Sequence, residues 1–174
     1  GWQSQPDGNT VQDVLQRALG TVASAPVRVY CAGRTDAGVH ALAQVVHFDA
    51  PTARPVSAWV RGTNADLPKT VAVRWACAVS DEFHARFSAQ GRAYRYLLLN
   101  RAQRPGLNFT RVGWFHQPLN EGAMQLALEN LLGTHDFSAF RAAQCQAKSP
   151  VRTLQRAAVS RVGDMLIFDF AADG

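Results

Sequence analysis

Cys31-Ala32-Gly33-Arg34-Thr35-Asp36-Ala37-Gly38-Val39-His40 is the stretch on which the reading of this chain turns. An apolar run, Val27 to Tyr30, leads into it, and a second, Gln44 to Phe48, leads away. Two strand-like segments therefore flank a short glycine-rich turn. Gly33 and Gly38 allow tight turning or positive φ, which other residues resist. Between them stand an arginine, a threonine and a carboxylate on a loop held by strands, a common carrier of catalytic groups. On spacing alone, Asp36 reads equally as an Asx-turn residue bonding its own backbone or as a reactive carboxylate.

The surrounding chain divides into a few clear elements. Asn9 to Leu19 carries Val11, Val14, Leu15, Ala18 and Leu19 on one helical face, with Asn9 or Thr10 as cap and Gly20 as terminator. Val27 to Ala32 and Ala43 to Phe48 read as strands. Pro55 suits the first turn of a short helix through Arg61, Asn64 to Pro68 a turn, and Thr70 to Val79 an alternating strand containing Trp75. Asp81 and Glu82 mark a seam, giving halves 1–82 and 83–174.

The second half opens with Phe83 to Ala89 and Gly91 to Leu99, read as strands, followed by a short strand from Val112 to His116. Asn120 caps a helix whose buried face is Met124, Ala127, Leu128, Leu131 and Leu132, closed by Gly133. Thr153 to Val162 and Met165 to Ala171 make a hairpin around Gly163-Asp164. Strands, helix and strands in each half predict a mixed α/β (α+β) fold, a largely antiparallel sheet with helices on one face.

The chain has 174 residues, 47% hydrophobic and 18% charged, which suits a globular protein able to bury a core. Lys and Arg outnumber Asp and Glu by 18 to 13, for a formal charge of +5. Only Lys69 and Lys148 are lysines, and arginine suits planar, bidentate contacts with phosphates and bases. Cys31, Cys77 and Cys145 are odd in number and far apart, with no metal-ligand spacing, so neither zinc nor a disulfide framework is expected and a reducing cytoplasm fits. No apolar run reaches the length of a membrane span.

Taken whole, Gly33-Arg34-Thr35-Asp36-Ala37-Gly38-Val39-His40-Ala41 resembles the catalytic signature of the TruA-type tRNA pseudouridine synthases. Gly1-Trp2-Gln3, Phe83-His84-Ala85-Arg86-Phe87-Ser88-Ala89, Tyr94-Arg95-Tyr96 and His135-Asp136-Phe137-Ser138-Ala139-Phe140-Arg141 resemble that family in the same order. The resemblance implies two ferredoxin-like halves sharing one sheet, with the active site in the cleft between them. It implies isomerisation of uridine to pseudouridine in the anticodon stem-loop of tRNA, at positions 38 to 40, by a homodimer without metal or organic cofactor. Family members begin with an earlier strand and continue into a helix supplying an arginine to the catalytic aspartate. The chain is therefore expected to be a fragment, trimmed at both ends and turning over poorly.

By the same resemblance Asp36 acts at the sugar, as nucleophile or as base, Arg34 assists base flipping, and Tyr94 stacks on the uracil. The competing readings are a structural ion pair between Arg34 and Asp36, and core packing for Tyr94; Tyr96 is expected in the core. Tyr94 and Tyr96 fall on one strand face and the intervening arginines on the other. Further RNA contacts are expected at Arg54, at Phe83, His84, Ala85, Arg86 and Phe87, and at Gln144, Cys145, Gln146, Ala147 and Lys148. The rival function is a non-catalytic RNA-binding module, which has no need of the loop around Asp36.

Overall fold

A computed structural model describes residues 1–141 and 149–173. They belong to two compact units, Gly1–Ala89 and Gln90–Gly174. In the first, helix α1 spans Val11–Ala23. Thr10 caps it through a reciprocal box: Thr10 Oγ1 accepts from Asp13 N–H at 3.3 Å, and Asp13 accepts from Thr10 N–H at 3.1 Å. Leu15, Leu19 and Ala23 are buried against Trp2, Val27, Val29 and Trp59, and Ala18 is buried as well. Gly20 does not end the helix, contrary to expectation. The apolar face continues through Val22 and Ala23, and their packing offsets the roughly 1 kcal/mol that glycine costs inside a helix. Ser24, in the left-handed region at φ 56°, makes the stop.

Strands β1, Tyr30–Cys31, and β2, Val46–His47, pair antiparallel with Tyr30 opposite His47. Both are shorter than their apolar runs. Helix α2 covers Val56–Asp66, with Pro55 just before it as the cap residue. It runs beyond Arg61 and absorbs part of the expected Asn64 to Pro68 turn, because Trp59 and Thr63, one turn apart, are both buried. The two helices lie close: a Cβ on Gly62 would stand 2.8 Å from Val22 Cγ2. Thr63 is 0% exposed, and its Oγ1 has no hydrogen-bond partner among the described residues. Thr63→Val removes an unpaired buried hydroxyl while keeping the shape. It is expected to stabilise the unit by about 1 kcal/mol, read as a higher unfolding midpoint.

Thr70 to Val79 does not form a strand. Val71, Val73 and Ala76 are half-buried, but Trp75 is 64% exposed. What holds the segment is the Asn64 amide. Its Oδ1 accepts from Val73 N–H at 2.7 Å and its Nδ2 donates to Val73 O at 2.8 Å, standing in for one rung of a ladder. Phe83 to Ala89 is likewise a run of turns.

The second unit is a five-stranded mixed sheet. It comprises β3 (Arg92–Asn100), β4 (Gly113–Phe115), β5 (Gly133–Asp136), β6 (Val151–Val162) and β7 (Met165–Ala172), in the order β4-β3-β7-β6-β5. Among the described residues β3 and β4 pair parallel, and the other pairs are antiparallel. The β6–β7 hairpin turns at Gly163-Asp164 as expected, with Gly163 at φ 59°. Helix α3, Glu121–Glu129, is capped by Asn120, which accepts from Ala123 N–H at 3.0 Å.

The expected buried face of α3 is only partly realised. Met124, Leu128 and Leu131 are half-buried, whereas Ala127 and Leu132 are exposed. Gln125 supplies an unforeseen contact, accepting from Val159 N–H of β6 at 2.9 Å. Gly133, read as a helix terminator, opens β5 at φ 94°. Asn100 is buried and ties β3 to its neighbours. Its Nδ2 donates to Phe115 O (3.0 Å) and Gln117 O (2.7 Å), and its Oδ1 accepts from Leu119 N–H and Arg161 Nη2 (both 3.1 Å).

Candidate active site

The loop bearing Asp36 is pinned from both flanks. Ala32 N–H donates to Val45 O at 2.9 Å, and the Gln44 amide bonds Gly33 O at 2.5 Å. On the other side Trp2 N–H donates to Thr35 O at 2.9 Å. Trp2 is itself buried, so the bond is backed by core packing. Gly1 lies directly against the loop: a Cβ there would meet Ala37 N at 3.1 Å and the Asp36 carbonyl carbon at 3.3 Å. Val39 N–H then closes a turn onto Asp36 O at 3.2 Å, with Gly38 at φ 85°, the conformation glycine accepts at a turn's third position.

Within that fixed backbone the Asp36 side chain is exposed. Among the described residues its carboxylate makes no hydrogen bond, which sets aside the Asx-turn reading, and no ion pair joins it to Arg34. Arg34 is also exposed, on the same loop. The geometry presents a carboxylate whose position is set by its main chain and whose oxygens face outward. Such a group can attack an electrophilic carbon, remove a proton or stabilise developing positive charge.

Phe83 to Phe87 is joined to the strands that carry this loop. Ala85 is buried, and its N–H donates to His47 Nδ1 at 3.1 Å. His47 also stacks on Tyr30 and meets His84 edge-on. Burial, then the neighbouring His84, hold the His47 imidazole below its ordinary pKa of 6.5, against an opposing pull from Asp49. The folded form thus binds fewer protons than the unfolded one, and its contribution is present above that value and lost as pH falls through the folded pKa. Protonation at Nδ1 would also remove the acceptor for Ala85. Protection of the Ala85 amide against hydrogen exchange is therefore expected to hold at neutral pH and to drop as pH falls below the ordinary imidazole value of 6.5. In His47→Asn, whose side-chain oxygen accepts without titrating, it is expected to stay level.

Arg54 is exposed after α1 and β2, just before α2. In the second unit Tyr94 is 53% exposed on β3, opposite Phe170. Tyr96 shares its face, opposite Phe168, but at 54% exposure it is not a core residue. Its strand lies next to β4, and its hydroxyl reaches over Gly113 without being enclosed. Arg95 projects to the other face, where it makes a bidentate pair with Asp169 at 2.7 and 2.9 Å, joined by Arg156 at 3.4 Å. Gln144, Cys145, Gln146, Ala147 and Lys148 lie outside the described residues.

Sequence reasoning assigned no role to Trp2, Gln44 or His47, the groups that fix the loop and the Phe83–Phe87 segment. Gln44 and His47 stand in the run that follows the loop, three and six residues apart from Ala41, and only pairing reveals their reach. Among the described residues no cluster of three His, Cys, Asp or Glu side chains could hold a metal ion. No helix among them is long and apolar enough to cross a membrane.

A family model described as tRNA pseudouridine synthase matches residues 1–88 and 127–174, including the whole pinned loop. The chain belongs to the tRNA pseudouridine synthase family. Curated relatives agree along the full chain. It is 67% identical over 172 residues to a protein named tRNA pseudouridine synthase A from Dechloromonas aromatica, covering 99% of this chain and 66% of the relative. A protein of the same name from Thiobacillus denitrificans is 56% identical over 174 residues, covering 100% and 67%. One from Aromatoleum aromaticum is 59% identical over 173 residues, covering 99% and 66%. The chain thus spans about two thirds of the length of these synthases. Tyr94 falls between the two stretches of the family match but within the span aligned with the relatives.

Proposed function

We propose that this chain carries the uridine-to-pseudouridine chemistry of a tRNA-modifying isomerase acting on the anticodon stem-loop. The observation that supports it most is the placement of Asp36, an exposed carboxylate on a loop braced by Trp2 and Gln44. In the reaction the bond from the sugar's anomeric carbon to nitrogen 1 of uracil breaks. The base turns, the anomeric carbon bonds to carbon 5, the carbon 5 proton leaves to solvent, and nitrogen 1 gains a proton. No electron is gained or lost. Asp36 serves as nucleophile toward the anomeric carbon or as base toward the sugar.

A uridine stacked in a helix must first leave the stack, at a cost of a few kcal/mol. Arg34, on the same loop, is suited to fill the vacated place and hold a phosphate, and Tyr94 to stack on the displaced base. Arg54, Phe83 to Phe87 and Gln144 to Lys148 complete the proposed RNA contacts, and the working assembly is a cytoplasmic homodimer. The test is tritium release from tRNA labelled at carbon 5 of uracil. Release that requires Asp36 supports the reading; release that ignores Asp36 refutes it.

A further inference from the structure

In the segment leading into β1, the buried Val27 and Val29 alternate with the exposed Arg28 and with Tyr30, which therefore project away from the core. On β2 and just after it, Val46 and Phe48 pack toward the core, and His47 between them points the opposite way. The outer face so formed holds a continuous series of rings. Tyr30 stacks on His47 at 5.1 Å and 19°, His47 meets His84 at 4.5 Å, and His84 meets Phe87 at 4.4 Å and 32°. An arginine closes each end: Arg28 Cζ lies 5.1 Å from the Tyr30 ring centroid and Arg86 Cζ 5.8 Å from that of Phe87.

Core packing does not account for this array. Phe87 is 77% exposed and Tyr30 36% exposed, so much of their apolar area stays in water. Among the described residues neither Arg28 nor Arg86 forms an ion pair. Two guanidinium groups without carboxylates, bracketing exposed rings, complement a ligand with anionic groups and flat faces together. β1 also runs straight into the loop that carries Asp36.

We infer that Arg28 and Tyr30, braced by His47 and His84, form a nucleotide-stacking subsite that takes an unpaired base of tRNA and its phosphate beside the reacting uridine. His47 stacks on Tyr30 and Arg28 lies over the same ring, so the base stacks on the Arg28–Tyr30 pair, with the guanidinium also placed for the phosphate. The inference rests on the proposed function, since it assumes the same RNA ligand, and it extends the contact surface to a strand given no role by sequence.

The test is the affinity of the chain for a fluorescently labelled unmodified tRNA transcript, measured by anisotropy across a salt series. Tyr30→Ala is expected to weaken binding roughly tenfold, and Tyr30→Phe, which keeps the ring and its stack on His47, to bind like the unsubstituted chain. Arg28→Ala, at an exposed position, is expected to weaken binding and to lower the slope of log affinity against log salt by about one. Wild-type affinity and slope in both alanine variants would overturn the inference, as would undetectable tRNA binding by the unsubstituted chain. Equal competition by polyglutamate and by a uridine oligonucleotide would reduce the surface to a general anion site and overturn it too. Asp36-dependent tritium release is scored separately, so loss of the subsite and loss of the proposed function give different results.

Discussion

Asp36→Asn is expected to lower tritium release from carbon 5-labelled tRNA by a factor on the order of 10⁴ or more, with tRNA affinity kept within about threefold. The substitution is nearly isosteric and removes only the charge and the nucleophilic oxygen. Because the Asp36 carboxylate makes no hydrogen bond among the described residues, its loss leaves no orphaned partner in the fold. The bonds that set the loop, from Trp2 to Thr35 and from Gln44 to Gly33, are all to backbone atoms and persist in the variant. Stability is accordingly expected to change by less than about 0.5 kcal/mol. An RNA-binding module would show unchanged binding and no release before or after substitution. Release within tenfold of the unsubstituted protein would show that Asp36 does not perform the chemistry.

Asn100→Leu is expected to cost the second unit about 3–5 kcal/mol, the largest stability effect at any single position considered. Leucine is close in volume, so packing loss is small and the effect is polar. Phe115 O and Gln117 O lose their donor, and Leu119 N–H and Arg161 lose their acceptor. Arg161 retains Leu119 O at 2.9 Å, which softens the loss on that side. A penalty of this size consumes a large part of the 5–15 kcal/mol that ordinarily separates folded from unfolded domains. Asn100→Asp keeps the acceptor for Leu119 and Arg161 but sets a carboxylate against two carbonyl oxygens, so an intermediate loss is expected. Urea unfolding of the three proteins orders them, and a loss below about 1 kcal/mol for Asn100→Leu would show that the hub does not hold β3 and β4 in place.

The local elements were legible in the sequence where their causes are local. Asn9-Thr10 as cap candidates, and the apolar repeat through Leu19, specify the start and face of α1 within a few residues' reach, and Thr10 is the cap. Gly163-Asp164 between two alternating runs specifies the β6–β7 hairpin, since a two-residue turn fixes register by itself. Gly33 to Ala41 pointed to the family, and the family match bore that out. The end of α1 is not local in this sense: a glycine such as Gly20 terminates a helix only when nothing beyond it is worth burying, and Ala23 is 1% exposed.

What the sequence by itself determined is the helical and hairpin periodicity, the excess of arginine, and the family to which the chain belongs. What only the tertiary structure decided is where a strand-like pattern becomes a strand and which side chains hold the loop. Thr70 to Val79 alternates as well as β3 does, yet β3 has β7 beside it, whereas Val73 is bonded by the Asn64 amide in place of a strand. Trp2, Gln44 and His47 acquire their roles by reaching across 33, 11 and 38 positions to Thr35, Gly33 and Ala85. The reason is physical: helix and turn preferences act between neighbours in sequence, but ladder bonds and side-chain braces form only when distant segments are brought to hydrogen-bond distance.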